Sequence, residues 1–208
     1  MPQKNPTVFI VDDDPALREA MVRAMEVAGL PAQAFASAEE FLAAYDAETP
    51  GCLLLDILMP GMTGPQLVAR LSERGRVLPI IILTGHGDVP TAVSLMREGA
   101  FDFIEKPIRP DAITAVIRRA FDKDAREREA IGARAQATQR LSRLSERERS
   151  VLALLVEGKG VKEIAAEFGL SYKTVQTHRA HIMEKTGIDN LAELVRAWIA
   201  AGNKIANH

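Results

Sequence analysis

The chain is poor in cysteine and in aromatic residues. Cys52 is the one cysteine among 208 residues, so no internal disulfide can form. Its place in the apolar run Cys52-Leu53-Leu54-Leu55 predicts a small buried hydrophobe, and such usage fits a reducing compartment. No apolar run approaches a membrane span, and the opening MPQKNP has no apolar core of signal-peptide length. A cytoplasmic protein without a membrane partner is expected. The turn behind the first apolar run, DDDP, lacks the glycines that a bound dinucleotide requires, which excludes that class of nucleotide-binding fold. Neither sign of charge prevails overall: 26 Lys and Arg stand against 28 Asp and Glu, a net charge of −2.

That balance hides an asymmetry. Residues 1–120 carry −5, residues 121–140 carry +1 and residues 141–208 carry +2. An acidic front and a mildly basic back suggest two tasks. The basic excess is too small to establish nucleic-acid binding, so its placement must decide.

The first 120 residues alternate apolar runs with helical patterns. Strands are expected at 8–11, 31–35, 52–55, 80–83 and 101–105. Pro15 opens the first helix, and Ser37 with Glu40 predicts a capping box on the second. Continuous apolar strands between helices imply an α/β fold: a five-stranded, doubly wound parallel sheet covered on both faces. Residues 121–140, FDKDAREREAIGARAQATQR, are rich in Ala and charge and read as an exposed helical extension or linker. Residues 141–208 predict a small all-α unit with helices near 146–157, 161–168, 172–186 and 190–201, the first opened by a capping box of Ser145 and Glu148.

Polar residues collect at the carboxyl ends of the expected strands: Asp12 and Asp13, Asp56, Thr84 and Lys106. Sites of doubly wound sheets lie at that edge. Carboxylates gathered there imply a cation among them, and hard oxygen donors favour Mg2+. A carboxylate can also attack phosphorus, and phosphoryl transfer asks mainly for positioning and charge neutralisation. Asp14, before a proline, reads as a helix cap or a solvated carboxylate. His86, in a glycine-flanked loop, reads as a polar surface residue.

The segments VFIVDDDP, LLLDILMPGMTG, ILTGHGD and GAFDFIEKP resemble the receiver domain of two-component response regulators. The resemblance covers nearly all of residues 6–120. It implies Asp56 as phospho-acceptor. Asp13 and Asp56 would ligate Mg2+ directly, Asp12 through water, and Leu58 through its backbone carbonyl. Thr84 would bond a phosphoryl oxygen, and Lys106 would pair with the phosphate. Thr84 and Phe103 would form a switch, and Lys106-Pro107 would be cis.

In the basic end, GVKEIAAEFGLSYKTVQTHRAHIMEK reads as two helices joined by a short glycine-containing turn. On composition alone, an ordinary αα-hairpin with a solvated face fits better than a DNA reader. However, LSERERSVLALLVEGKGVKEIAAEFGLSYKTVQTHRAHIMEKTG resembles the LuxR-type DNA-binding domain. The whole chain therefore resembles the NarL/FixJ family, and its FixJ-like branch in particular. By that pattern Lys173, Thr174, His178, Arg179 and Lys185 mostly contact phosphates, while Gln176 and Thr177 face base edges. Ala180, on the same face, is too short to offer a hydrogen bond. Val161 stands where many relatives carry Asn or a similar polar residue.

The resemblance implies a receiver at 1–120, a helical linker at 121–140 and a helix-turn-helix domain at 141–208. It implies a transcription regulator rather than an enzyme, phosphorylated by a sensor histidine kinase and forming a homodimer on double-stranded DNA. A turnover phosphatase would need a second acid or base near Asp56, for which the sequence offers no clear candidate. A DNA binder with a phosphorylation-independent receiver is the remaining alternative.

Overall fold

The computed structural model describes residues 5–73, 78–85 and 89–205. Internal contacts divide the chain into two compact units, Met1–Arg126 and Glu127–His208, and each is described by itself.

The first unit contains β1 (Thr7–Val11), α1 (Pro15–Val27), β2 (Ala32–Phe35), α2 (Ala38–Ala44) and β3 (Gly51–Asp56). It continues with α3 (Gly64–Glu73), β4 (Ile80–Thr84), α4 (Val89–Arg97), β5 (Asp102–Glu105) and the first part of α5 (Pro110–Leu141). The strands form one parallel sheet in the order β2-β1-β3-β4-β5. Each expected strand is present to within one residue at either end. Successive strand residues point to opposite faces, and this divides the core. Val8, Ile10, Cys52 and Leu54 pack with Met21, Met25, Ile113 and Ile117 of α1 and α5. Phe9, Val11, Leu53 and Leu55 pack on the other face with Phe41, Leu67, Leu71 and Leu95 of α2, α3 and α4. Because both faces are covered, the three central strands β1, β3 and β4 are buried along their whole length and show no apolar–polar alternation.

Chain entry into the helices follows the local chemistry. Asp14 caps α1, its carboxylate accepting from the amides of Ala16 and Leu17. The expected capping box of α2 forms only in part. Ser37 Oγ accepts from the Glu40 amide, but the Glu40 carboxylate accepts from the amide of Ala36, one residue before the cap. At the amino end of β3, buried Asp124 of α5 accepts from the Gly51 amide at 3.0 Å. A Cβ on Gly51 would lie 1.9 Å from the Thr7 carbonyl oxygen, so only glycine fits there.

The second unit contains the rest of α5, then α6 (Glu146–Val156), α7 (Val161–Phe168), α8 (Tyr172–Thr186) and α9 (Leu191–Ala200). Val151, Leu152, Leu155, Ile164, Val175, Ile182, Leu194 and Trp198 form its core. The capping box of Ser145 and Glu148 on α6 is complete. Gly169, at φ 63°, ends α7 in the left-handed conformation that glycine adopts freely, and Ser171 caps α8 two residues later. Residues 121–140, expected as a helical extension, lie within α5. Among the described residues no helix is long and apolar enough to cross a membrane.

Candidate functional site

The carboxyl edge of the sheet gathers the acidic residues around one ammonium group. Asp12 follows β1, Asp56 ends β3 and Lys106 follows β5. Lys106 Nζ lies 2.6 Å from Asp56 Oδ1 and 3.0 Å from Asp12 Oδ2. The remaining carboxylate oxygens are also engaged. Asp12 Oδ1 accepts from the Asp14 amide at 2.9 Å, and Asp56 Oδ2 accepts from the Leu58 amide at 3.0 Å. Asp12 and Asp56 are buried, whereas Asp13 is exposed.

Burial pushes the Asp56 carboxyl above its ordinary range, and the hydrogen bond and charge of Lys106 offset part of that rise. Burial alone would lower the Lys106 ammonium, but its bonds to Asp56 and Asp12 outweigh it and hold the lysine above its ordinary value. Lys106 is thus held charged beside Asp56, and its charge offsets part of the burial penalty on the carboxylate.

Thr84 is buried at the end of β4, its hydroxyl donating to the Gly85 carbonyl at 3.2 Å. Its own carbonyl accepts from the Lys106 amide at 2.8 Å, which ties the two strand ends together. Lys106-Pro107 is cis, as the resemblance implied. Phe103 is about a third exposed on β5, and the Leu58 side chain points largely to solvent. His86 lies outside the described residues. Two supporting residues carry no local signal in the sequence. Arg18 donates from Nη1 to the Asp12 carbonyl at 2.7 Å and so anchors the backbone beneath the acid cluster. Gly64 brings α3 so close that a Cβ there would lie 2.6 Å from the Asp56 carbonyl oxygen.

Among the described residues, no three His, Cys, Asp or Glu side chains are gathered so as to hold a metal ion. The donors present are the two convergent carboxylates of Asp12 and Asp56 and the exposed carboxylate of Asp13. That set fits Mg2+, which keeps several waters and takes one or two carboxylates.

The second unit offers a polar face on α8. Lys173, Gln176 and Thr177 are exposed, while Thr174, His178 and Arg179 are half-buried. Ser171, Lys173, Thr174, Thr177, His178 and His181 line a shallow open depression. The Thr177 hydroxyl donates to the Lys173 carbonyl at 3.0 Å, and Gln176 Nε2 donates to the Tyr172 hydroxyl at 2.9 Å. Lys185 is placed differently from the others. Its ammonium pairs with both carboxylate oxygens of buried Glu148, at 2.7 and 2.8 Å, which joins α8 to α6. His181 Nδ1 lies 3.8 Å from the same carboxylate. The bond from Lys185, assisted by the Ser145 amide and hydroxyl, holds the Glu148 carboxyl down at about 2 against the opposing effect of burial.

Two family models match the chain. The response regulator receiver domain matches residues 8–118, and the luxR family of bacterial regulatory proteins matches residues 142–198. The transcriptional regulatory protein FixJ of Azorhizobium caulinodans is 41% identical over 97% of this chain and 95% of its own. Among solved structures, the response regulator StyR matches at 38% identity and a TM-score of 0.82, covering 93% of this chain and 98% of that one. Full-length FixJ from B. japonicum matches at 36% identity and a TM-score of 0.60, covering 96% and 98%.

Proposed function

Because this chain belongs to the response regulators that join a receiver domain to a luxR-type DNA-binding domain, we propose that it is switched by a phosphoryl group carried on Asp56. It is a transcriptional regulator by family. The observation that carries it is the bridge of Lys106 Nζ to Asp56 and Asp12, residues 50 and 94 positions away in sequence.

The donor is a sensor histidine kinase. An Asp56 carboxylate oxygen attacks phosphorus, the phosphorus–nitrogen bond to the kinase histidine breaks, and the ring nitrogen leaves with the electron pair. Mg2+ would be held by Asp13, Asp56 and the Leu58 carbonyl, with Asp12 acting through water, and it would neutralise charge on the phosphoryl oxygens. Lys106 supplies a second positive charge at that point. Thr84 Oγ1 gives up its bond to Gly85 and donates to a phosphoryl oxygen. Phe103 then turns inward, and the altered face of the receiver forms a homodimer. A phosphate adds about two negative charges and three acceptor oxygens, and such a charge change biases a two-state element.

The dimer presents α8 of each copy to the major groove of double-stranded DNA. Lys173, Thr174, His178 and Arg179 hold phosphates, and Gln176 and Thr177 meet base edges. We assign the receiver to residues 1–120, the helical linker to 121–140 and the DNA-binding domain to 141–208, and we place the protein in the cytoplasm.

The test is labelling with acetyl phosphate and Mg2+. Wild-type protein takes up the label and Asp56→Asn does not, while circular dichroism shows both folded. Wild-type labelling of Asp56→Asn would remove the assignment. Labelling without any change in DNA affinity would favour a DNA binder whose receiver exerts no control.

A further inference from the structure

Tyr172 opens α8 with its ring half exposed. The ring is not part of the core of this unit, to which α8 contributes Val175 and Ile182. What the ring does carry is a hydroxyl that accepts a hydrogen bond from Gln176 Nε2 at 2.9 Å. Residues four apart share one helical face, and side chains on a helix lean toward its amino end. Gln176 is therefore drawn back over the first turn of α8.

The consequence lies in amide chemistry. A glutamine amide has two N–H donors and one carbonyl. It reads adenine by donating to N7 and accepting from the 6-amino group. A free glutamine rotates about its side-chain torsions and presents these groups in many orientations. Here one N–H is held by Tyr172, which fixes the amide plane and leaves the second N–H and the carbonyl for an outside partner. Thr177 contrasts with it, because its hydroxyl proton is already bound to the helix backbone at Lys173.

We propose that Tyr172 is a specificity-determining positioning residue: its hydroxyl holds the Gln176 amide in the one orientation that reads a base. The proposal rests on the reading of α8 as the DNA-contact helix.

The experiment uses the full chain with acetyl phosphate and Mg2+. Duplexes are selected from a randomised library by the wild-type protein, and affinities are measured for the selected duplex, its single-base variants and a random duplex. Tyr172→Phe keeps the ring and removes the hydroxyl. It should reduce base preference by about two- to tenfold at one position per half-site. Affinity for the random duplex and the melting temperature should not change. Gln176→Ala should lose preference at that same position, and adding Tyr172→Phe to it should have no further effect. A uniform loss of affinity in Tyr172→Phe, or the same loss with and without Gln176, overturns the proposal and makes Tyr172 an independent contact. No position-specific change in Gln176→Ala, or no enriched sequence in the selection, refutes the reading of α8, and the proposal falls with it.

Discussion

Lys185 and Glu148 stand 37 residues apart in sequence, and the lysine ammonium lies 2.7 Å from one carboxylate oxygen of the glutamate and 2.8 Å from the other. A lysine near the end of a basic helix looks available to DNA. This one instead ties α8 to α6 by satisfying a buried carboxylate that also accepts from the Ser145 amide and hydroxyl.

Lys185→Ala should therefore act on folding. Leaving a buried carboxylate short of a charged donor costs about 1–3 kcal/mol, read as a lower denaturation midpoint of the second unit. The slope of log affinity against log salt should not change for Lys185→Ala, whereas Lys173→Ala should lower it by about one unit. A reduced slope in Lys185→Ala would return that lysine to the phosphate contacts.

The same pair sets an acid limit. Glu148 titrates near 2 in the folded unit against 4.5 ordinarily. An acid whose folded value is depressed binds fewer protons folded than unfolded, so stability rises with pH in that interval. The contribution is complete above about 4.5 and is lost as pH falls toward 2. Glu148→Gln should flatten the pH dependence of stability across that interval. An unchanged acid profile in Glu148→Gln would assign the acid sensitivity to other groups.

Gly64→Ala should disturb the acceptor without touching it. A Cβ at 2.6 Å from the Asp56 carbonyl oxygen meets backbone, which cannot swing aside as a side chain would. Overpacking of this kind costs about 1–3 kcal/mol. The strand end must move, so acetyl phosphate labelling should slow together with a drop in melting temperature. Labelling at the wild-type rate would show that β3 absorbs the shift.

Gly132→Ala should do the opposite. Gly132 lies inside α5, and a Cβ there meets nothing within 4 Å. Alanine is favoured over glycine in a helix interior by about 1 kcal/mol. Thermal denaturation should register a gain, and a loss would reveal a contact that the open surface does not suggest.

Much of the fold was legible because its signals are local. Val8–Val11 and Cys52–Leu55 are unbroken apolar runs, and Asp14 before Pro15 announces a cap. The convergence of Asp12, Asp56 and Lys106 also followed from strand order, since each stands at a strand's carboxyl end. Features that depend on a distant partner were not legible. Nothing near Lys185 points to Glu148, and nothing near Gly64 says that the Asp56 backbone will pass so close. Glu40 shows a subtler case. Ser37 caps the Glu40 amide as the spacing predicts, but the return bond of the box does not form, because a long side chain can reach either of two neighbouring amides and Glu40 takes that of Ala36.

The single cysteine has a practical consequence. Cys52 is fully buried, and desolvation, with the Asp124 charge adding to it, pushes its thiol well above the ordinary range. A thiol so rarely ionised is a poor nucleophile toward maleimides and methanethiosulfonates. The native chain therefore offers a silent background for site-directed labelling. A cysteine introduced at an exposed position such as Val27 would take a spin label or a fluorophore alone, with no background residue to remove. Trp198, the one tryptophan, lies in the other unit and supplies a second, intrinsic optical channel. Label and tryptophan would then follow the two units separately within one molecule.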